Sequence, residues 1–533
     1  MGLSVAYIQQ RGGTAVRGLA TPFRELLPSG RSDPPRSVTR TPRGPALALV
    51  GVAVGCAAIT STAVPIDLPL GWDEVVYVSQ YAERAPAAFF SAPRSRGVSL
   101  LAAPVAAMTG SIVALRLYLL AVGTLAVVLG FWPWLRALPR PSAVPVAAAC
   151  YGTLWVTGFY LNEAMPNHYT AMGALAATGW FLLAAQRSAD GWAATRGPLL
   201  GLVTALAVVG LMRPSDAFWV SLPLGLAVLA VPAWRYRALL GAVAVGAAAG
   251  VLPWLVEAQL SYGGVLARLH RASEIQGGTE PTFSLGLALS TLDGPLLCRP
   301  CTNPAVLWPT VLWWFALPPF ALLGVAVAAR VRATGGALLA VAVASAAAVP
   351  YLFLIGYSAP RFLQPTYALL SIPVALGFVG AADWVVTRLG GPSRRVVAGT
   401  AAALLVTGLA GHLAVQGALL AWMGQLHEDR RQDLERLTEE LHAHGVRPPC
   451  LLVGDQAIPI AYHAGCASGA SSGANKTADR QELLDQLRRT PSAVLVLGDD
   501  DPPSWTRDWQ EIRVPGSRRS DDWRVLLSPR PEP

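Results

Sequence analysis

Residues 335–356 read GGALLAVAVASAAAVPYLFLIG, twenty-two consecutive positions without a charged side chain. A helix needs about 20 apolar residues to cross about 30 Å of hydrocarbon, and this stretch is long enough. Arg330 and Arg332 precede it, and Tyr357-Ser358-Ala359-Pro360-Arg361-Phe362 follows. Runs of the same kind recur near 46–64, 112–134, 143–161, 168–186, 198–212, 216–233, 238–255, 304–329, 362–382 and 396–416. The pattern predicts a mainly α fold, a polytopic transmembrane helical bundle of about eleven spans.

Composition agrees. Hydrophobic residues are 53% of 533 positions, charged residues 14%, and mean hydropathy is +0.44. Soluble domains carry about 25% charged residues, so this chain lacks the polar surface to dissolve a globule of its size. The net charge of +9 comes from arginines scattered through short loops, with Lys476 the only lysine. Scattered loop arginines are topology signals rather than a phosphate-tracking patch, which excludes a nucleic-acid partner. The Arg, Ala and Gly bias fits a GC-rich bacterial genome.

Residues 1–44 are rich in Arg, Pro and Ser and read as a disordered cytoplasmic tail. The long basic leader makes the first apolar run an uncleaved anchor rather than a signal peptide. Arg136 and Arg140, Arg187 and Arg196, Arg235 and Arg237, Arg330 and Arg332, and Arg388, Arg394 and Arg395 fall in alternate loops. The positive-inside rule makes those loops cytoplasmic. The transmembrane domain then covers 45–416, with outer loops at about 65–111 and 256–303. An odd span count leaves 417–533 as an extracytoplasmic domain of a protein in the cytoplasmic (cell) membrane. Within it, 424–444 is a charged helical pattern. Leu451–Val453 and Val494–Leu497 read as buried strands around the helix-like Asp479–Arg489, a small α/β domain. Cys450 and Cys466 in that domain are expected to form a disulfide, as paired cysteines on an oxidising face commonly do. The tight Cys298-x-x-Cys301 pair is compatible with a disulfide or with a metal or redox site. Cys56 and Cys150 lie in spans as small apolar residues.

Chemistry-bearing residues gather on the outer ends of the spans. Gly71-Trp72-Asp73-Glu74-Val75-Val76-Tyr77 follows the first span, and the amphipathic stretch Val75–Ala82 is expected to lie on the membrane with a carboxylate at a cavity mouth. Such a carboxylate accepts a proton from an attacking hydroxyl or amine. Glu163 and His168, in Tyr160-Leu161-Asn162-Glu163-Ala164-Met165-Pro166-Asn167-His168-Tyr169, are costly against lipid and are expected to face a cavity. Arg213-Pro214-Ser215-Asp216 and Pro360-Arg361-Phe362 place two arginines away from the cytoplasmic side. Their planar forks suit a phosphate.

This constellation resembles the GT-C integral-membrane glycosyltransferases, nearest the protein mannosyltransferase and lipid A aminoarabinose transferase group. The first-loop Asp-Glu with a Tyr three residues on resembles that family's catalytic acid, and Asn162-Glu163-Ala164-Met165-Pro166 its second-loop acid. Leu211-Met212-Arg213-Pro214 is similar to its Arg/Lys-Pro hairpin, and Pro360-Arg361-Phe362-Leu363-Gln364-Pro365 to its Arg-Tyr-Leu-x-Pro element. The resemblance covers about 45–385. It departs where the family often carries His-Pro-Pro and this chain carries Arg94-Ser95-Arg96-Gly97.

The resemblance implies transfer of a sugar from a polyprenyl phosphate, with no further cofactor and an open question of divalent metal. Asp73 would be the general base, Glu74 an alternative for that role, and Glu163 an orienting acid. Arg361, Arg213 and Arg84 would hold the donor phosphate, and His168 and Tyr77 would contact acceptor or sugar. The acceptor is a glycan, protein, lipid or secreted small molecule. No Gly-rich phosphate loop and no His-Glu-x-x-His motif occurs. A secondary transporter would line a midplane path with these charges and show related halves, but the charges here gather at one face. A non-catalytic assembly protein would use the tail as a binding module, and the tail shows no recognition motif.

The orientation has a direct check. A cysteine placed at Ser471 should label from outside in intact cells, and one at Ser37 should not. Labelling at Ser37 would reverse the assignment.

Overall fold

The computed structural model describes residues 41–529 apart from 279, 295, 300–305, 390–394, 474 and 518–520. The leader up to residue 40, Cys301 and Arg394 therefore lie outside the described residues. The helices that build the bundle are α1 (Arg43–Ala63), α2 (Trp72–Val78), α3 (Gly97–Ala106), α4 (Ile112–Phe131), α5 (Ala143–Gly152), α6 (Trp155–Tyr160), α7 (Pro166–Gln186) and α8 (Trp192–Met212). They continue with α9 (Pro214–Ala230), α10 (Arg237–Ser261), α11 (Val265–Ile275), α12 (Trp308–Arg330), α13 (Thr334–Phe353), α14 (Gln364–Leu389) and α15 (Arg395–Ala443).

The chain is a multi-pass membrane protein. Among the described residues, eight helices are long and apolar enough to cross a membrane. The other three expected segments fall on helices of a different kind. Residues 143–161 break into α5 and α6, and α9 is 17 residues long. Helix α7 is buried along nearly its whole length, packed against α4, α8 and α14. A helix wrapped by other helices needs no lipid-facing surface, so it tolerates Asn167, His168, Thr170 and Thr178. Pro166 at its first turn starts it without losing a backbone bond.

Small residues bring the spans together, as expected where lipid supplies no hydrophobic drive between helices. A Cβ at Gly210 of α8 would lie 2.9 Å from the backbone of Gly250 in α10. One at Gly324 of α12 would strike the Pro373 carbonyl of α14.

Helix α2 departs from expectation. It spans seven residues, and Glu74 through Val78 are all buried. A run apolar on every side sinks into the bundle instead of lying on a surface, so α2 is a plug held among longer helices.

Helix α15 runs unbroken for 49 residues, from the last span through the charged 424–444 pattern. It leads into a five-stranded sheet of order β2-β1-β3-β5-β4. The strands are β1 (Leu451–Gly454), β2 (Ala467–Gly469), β3 (Ser492–Leu497), β4 (Gln510–Val514) and β5 (Trp523–Leu527). β1 lies parallel to β2 and β3, whereas β5 is antiparallel to β3 and β4. Helix α16 (Ala457–Ala464) crosses from β1 to β2, and α17 (Arg480–Arg489) precedes β3. Ile458 and Tyr462 of α16 are buried in the same apolar cluster as the membrane helices, against α2.

Cys450 and Cys466 form the expected disulfide, joining the start of β1 to the end of α16. Cys298 is also disulfide-bonded. The Cys450–Cys466 bridge closes a loop with a sequence separation of 16. A loop of that size contributes about 3 kcal/mol by chain entropy. A Cys450→Ser/Cys466→Ser variant should lose about that much stability in the tail domain, read by pulse proteolysis in urea. Unchanged resistance would remove the bridge from the domain's stability.

Candidate active site

Gly71 precedes α2, and Asp73 and Glu74 occupy the second and third positions of that helix. A first turn has unpaired N–H groups that favour carboxylates, and Glu74 accepts the Gly71 N–H at 2.9 Å. Adjacent helical residues point about 100° apart, so the two carboxylates take different surroundings.

Glu74 turns inward and is 2% exposed. Arg116, the one charge inside α4, donates from Nη1 to Oε1 at 2.6 Å and from Nη2 to Oε2 at 2.8 Å. The Ala164 N–H reaches Oε1 at 2.7 Å. Arg116 also donates to the carbonyls of Leu68, Pro69 and Asn162. Both Glu74 oxygens are thus occupied, and they tie the start of α2 to α4 and to the Ala164 backbone.

Asp73 turns the other way and keeps a third of its side-chain surface exposed. Arg94 Nη2 donates to Oδ1 at 2.5 Å and Arg361 Nη2 to Oδ2 at 3.0 Å. Burial by itself pushes the Asp73 carboxyl up, but Arg94 and Arg361 outweigh it and hold the carboxyl below its usual range. Arg361 lies on a short turn, Pro360–Leu363, before α14. Its Nη1 donates to the Leu296 carbonyl at 2.8 Å and to the Tyr160 hydroxyl at 3.3 Å.

Arg213, at the break between α8 and α9, pairs with Asp216 at 3.3 Å, and the Tyr351 hydroxyl donates to Asp216 at 2.6 Å. Its guanidinium lies 5.7 Å from the Phe362 ring, and that of Arg361 lies 5.5 Å from the same ring. The two arginines therefore share one aromatic neighbour, and the Arg213 charge also reaches Asp73.

Glu163 sits in the turn between α6 and α7, half-buried, with no ion pair of its carboxylate among the described residues. Burial and the neighbouring Glu74 hold its carboxyl well above the usual range, against the opposing pull of Arg116 and Arg361. The Glu163 and Asp73 carboxyls are thus shifted in opposite directions. Tyr77 packs edge-on to Phe90 at 6.0 Å with Arg94 at 5.8 Å from its ring, so it lies behind Arg94. The described residues include no group of three or more His, Cys, Asp or Glu side chains arranged to hold a metal ion.

No protein-family model and no curated protein matches the chain. Solved structures do. The crystal structure of ArnT from Cupriavidus metallidurans bound to undecaprenyl phosphate superposes with a TM-score of 0.60 at 14% identity, covering 91% of this chain and 98% of that one. Its apo state gives the same values. The Archaeoglobus fulgidus oligosaccharyltransferase in its apo form gives a TM-score of 0.51 at 14% identity, over 84% of this chain and 69% of that one.

The chain shares the fold of these solved structures.

Within this bundle, two of the expected ligands make other contacts. His168 is fully buried, with Nδ1 3.2 Å from the Tyr151 hydroxyl and Nε2 3.1 Å from the Gly123 carbonyl. It ties α4, α5 and α7 together. Arg84 is exposed and contacts the tail, donating to the His463 carbonyl at 3.3 Å beside the Tyr462 ring. It thus links the first loop to the C-terminal domain. Arg94, Tyr160 and Arg116 enter the site without having been assigned a role from sequence. A lone arginine in an apolar span signals a buried carboxylate partner, and that signal was available for Arg116.

Arg116→Ala would strand the buried Glu74 carboxylate, and breaking such a pair costs about 3–5 kcal/mol. The thermal midpoint of the purified protein should fall accordingly. Combining Arg116→Met with Glu74→Gln should recover most of the loss. A single variant as stable as wild type would show that the pair does not anchor α2.

Proposed function

We propose that the chain is a membrane glycosyltransferase that moves a sugar from a polyprenyl-phosphate donor to an acceptor at the outer face of the cytoplasmic membrane. One observation carries the reading. Asp73 stands between Arg94 and Arg361, which hold its carboxyl below the usual range, while burial and Glu74 push the Glu163 carboxyl above it. Two carboxyls driven apart in this way divide acid and base roles. The fold match to a protein crystallised with undecaprenyl phosphate supports the donor class.

Charge supports it too. Arg94, Arg361 and Arg213 face Asp73 and Asp216, which leaves one net positive charge while Glu163 is neutral. One surplus charge matches the single negative charge of a sugar phosphodiester better than the two of a diphosphate. Arg361 and Arg213 are assigned to that phosphate. When the donor takes the Arg361 N–H groups, Asp73 loses one of its two cations and becomes a stronger base. The donor therefore activates the base that the acceptor needs.

In the transfer, the acceptor oxygen or nitrogen forms a bond to the anomeric carbon as the bond from that carbon to the phosphate oxygen breaks. The electron pair goes to the phosphate, where Arg361 and Arg213 stabilise the growing charge. The acceptor proton passes to Asp73, and Glu163 donates a hydrogen bond to a sugar or acceptor hydroxyl.

Purified protein assayed with radiolabelled polyprenyl-phosphate sugars tests the class. Asp73→Asn should lower turnover by roughly 10²–10⁴-fold with donor binding retained, and Arg361→Ala should weaken donor binding first. An Asp73→Asn protein within a few-fold of wild type would exclude Asp73 as base. The pH dependence has two signs. Activity of the free enzyme should fall on the acid side only below the usual carboxylate range, as Asp73 protonates. It should fall on the basic side as Glu163 loses its proton, and Glu163→Gln should abolish that basic limb.

A further inference from the structure

Away from the reacting groups lies a second buried ionic cluster whose contacts end on the backbone of Arg94. Arg268, on α11, is fully buried. Its Nε donates to the Ala92 carbonyl at 3.0 Å, its Nη1 to the Trp254 carbonyl at 2.9 Å, and its Nη2 to the Arg94 carbonyl at 3.0 Å. Nη2 also reaches Glu257 Oε2 at 2.9 Å. The guanidinium is packed by Trp254 and Tyr262, with centroids at 4.4 and 4.6 Å. Glu257 Oε1 takes Arg96 Nε and Nη2 at 2.8 and 2.6 Å. On the other side, Ser95 Oγ donates to the Leu211 carbonyl at 2.7 Å, at the end of α8 and two residues before Arg213.

The segment 92–97 is thus an irregular strap between α8 and the α10–α11 corner. Buried irregular backbone needs partners for its carbonyls, and Arg268 supplies the two that flank Pro93. Five donors in a fixed planar fork make this possible. A lysine ammonium is a point donor and does not reach three carbonyls in three directions.

We propose that Arg268 is a positioning residue for the site. By gripping the Ala92 and Arg94 carbonyls it sets where the Arg94 guanidinium stands against Asp73, and so how Asp73 is aimed and charged. It touches neither donor nor acceptor. The proposal rests on the assignment of Asp73 as base.

Full-length protein in nanodiscs tests it with Arg268→Lys, which keeps the charge near Glu257 and removes the fork. Backbone amides of 92–97 should exchange hydrogen about tenfold faster or more, with the C-terminal sheet unchanged. Undecaprenyl phosphate binding should stay within a few-fold, because Arg361 and Arg213 are untouched. Turnover should fall by about 10–100-fold, the size expected for a misplaced catalytic group. The acid limb of the pH profile should move upward, because Arg94 no longer holds the Asp73 carboxyl down. A merely structural loss would lower the active fraction without moving that limb. Ser95→Ala, which loosens the other tether, should move it the same way by less.

Exchange unchanged in Arg268→Lys, or a limb unmoved in an active variant, overturns the proposal. Where Arg268→Lys does not fold, Ser95→Ala decides, and an unmoved limb there overturns it as well. The exchange measurement needs no substrate. A wild type inactive on every polyprenyl-phosphate sugar therefore counts against the proposed function, while the exchange result still decides whether Arg268 holds the strap.

Discussion

A bidentate pair between Arg116 and Glu74, both almost wholly excluded from solvent, is the constraint on which the rest of the site depends. Neither charge is tolerable alone in a bundle interior, and a guanidinium–carboxylate fork satisfies both with directional bonds. Through Glu74 the pair caps the start of α2, and through the remaining Arg116 donors it fixes the backbone at Leu68, Pro69 and Asn162. The Ala164 N–H joins from the other side. One ion pair therefore sets the first-loop helix and the turn that carries Glu163 in a common frame. Asp73 gains its place because its neighbour is immobile.

The same economy governs the arginines around Asp73. Arg94 comes from the first loop, Arg213 from a helix break and Arg361 from a turn more than two hundred residues along the chain from Arg94. None is held by Asp73 alone. Arg361 leans on Leu296 and Tyr160, Arg213 on Asp216, and the strap around Arg94 on Arg268. Preorganised cations of this kind stabilise developing negative charge without rearranging during the reaction. Asp216, the Tyr160 hydroxyl and backbone carbonyls together offset the cost of gathering like charges.

Much of this was legible before the fold was known, and the reasons differ by residue. Spans follow from length and hydropathy, so the described parts of the expected segments fall largely on helices, although α7 is a core helix that never needed lipid. Asp73, Glu163, Arg213 and Arg361 stood out because charged residues at the ends of apolar runs are costly without a purpose. Asp73 and Glu74 are indistinguishable as neighbours in sequence; only the rotation of α2 separates a site carboxylate from an anchor. His168 read as a ligand because a histidine in a turn is costly against lipid, and in the bundle Tyr151 and Gly123 supply its partners. In the tail, β1 and β3 are apolar runs and were readable. β2 has three residues and β4 alternates charges along an edge, so neither carries a hydropathy signal.

Helix α15 has a mechanical consequence. Forty-nine residues at 1.5 Å each make a rod of about 73 Å, more than twice the roughly 30 Å of hydrocarbon it starts in. The tail domain is therefore mounted on a stiff mast rather than tethered by a linker. With α16 seated against α2 at the foot of that mast, the sheet is braced at two points. The sheet therefore keeps a fixed bearing to α2, the short helix that carries Asp73, and cannot swing away from it as a linker-tethered domain would.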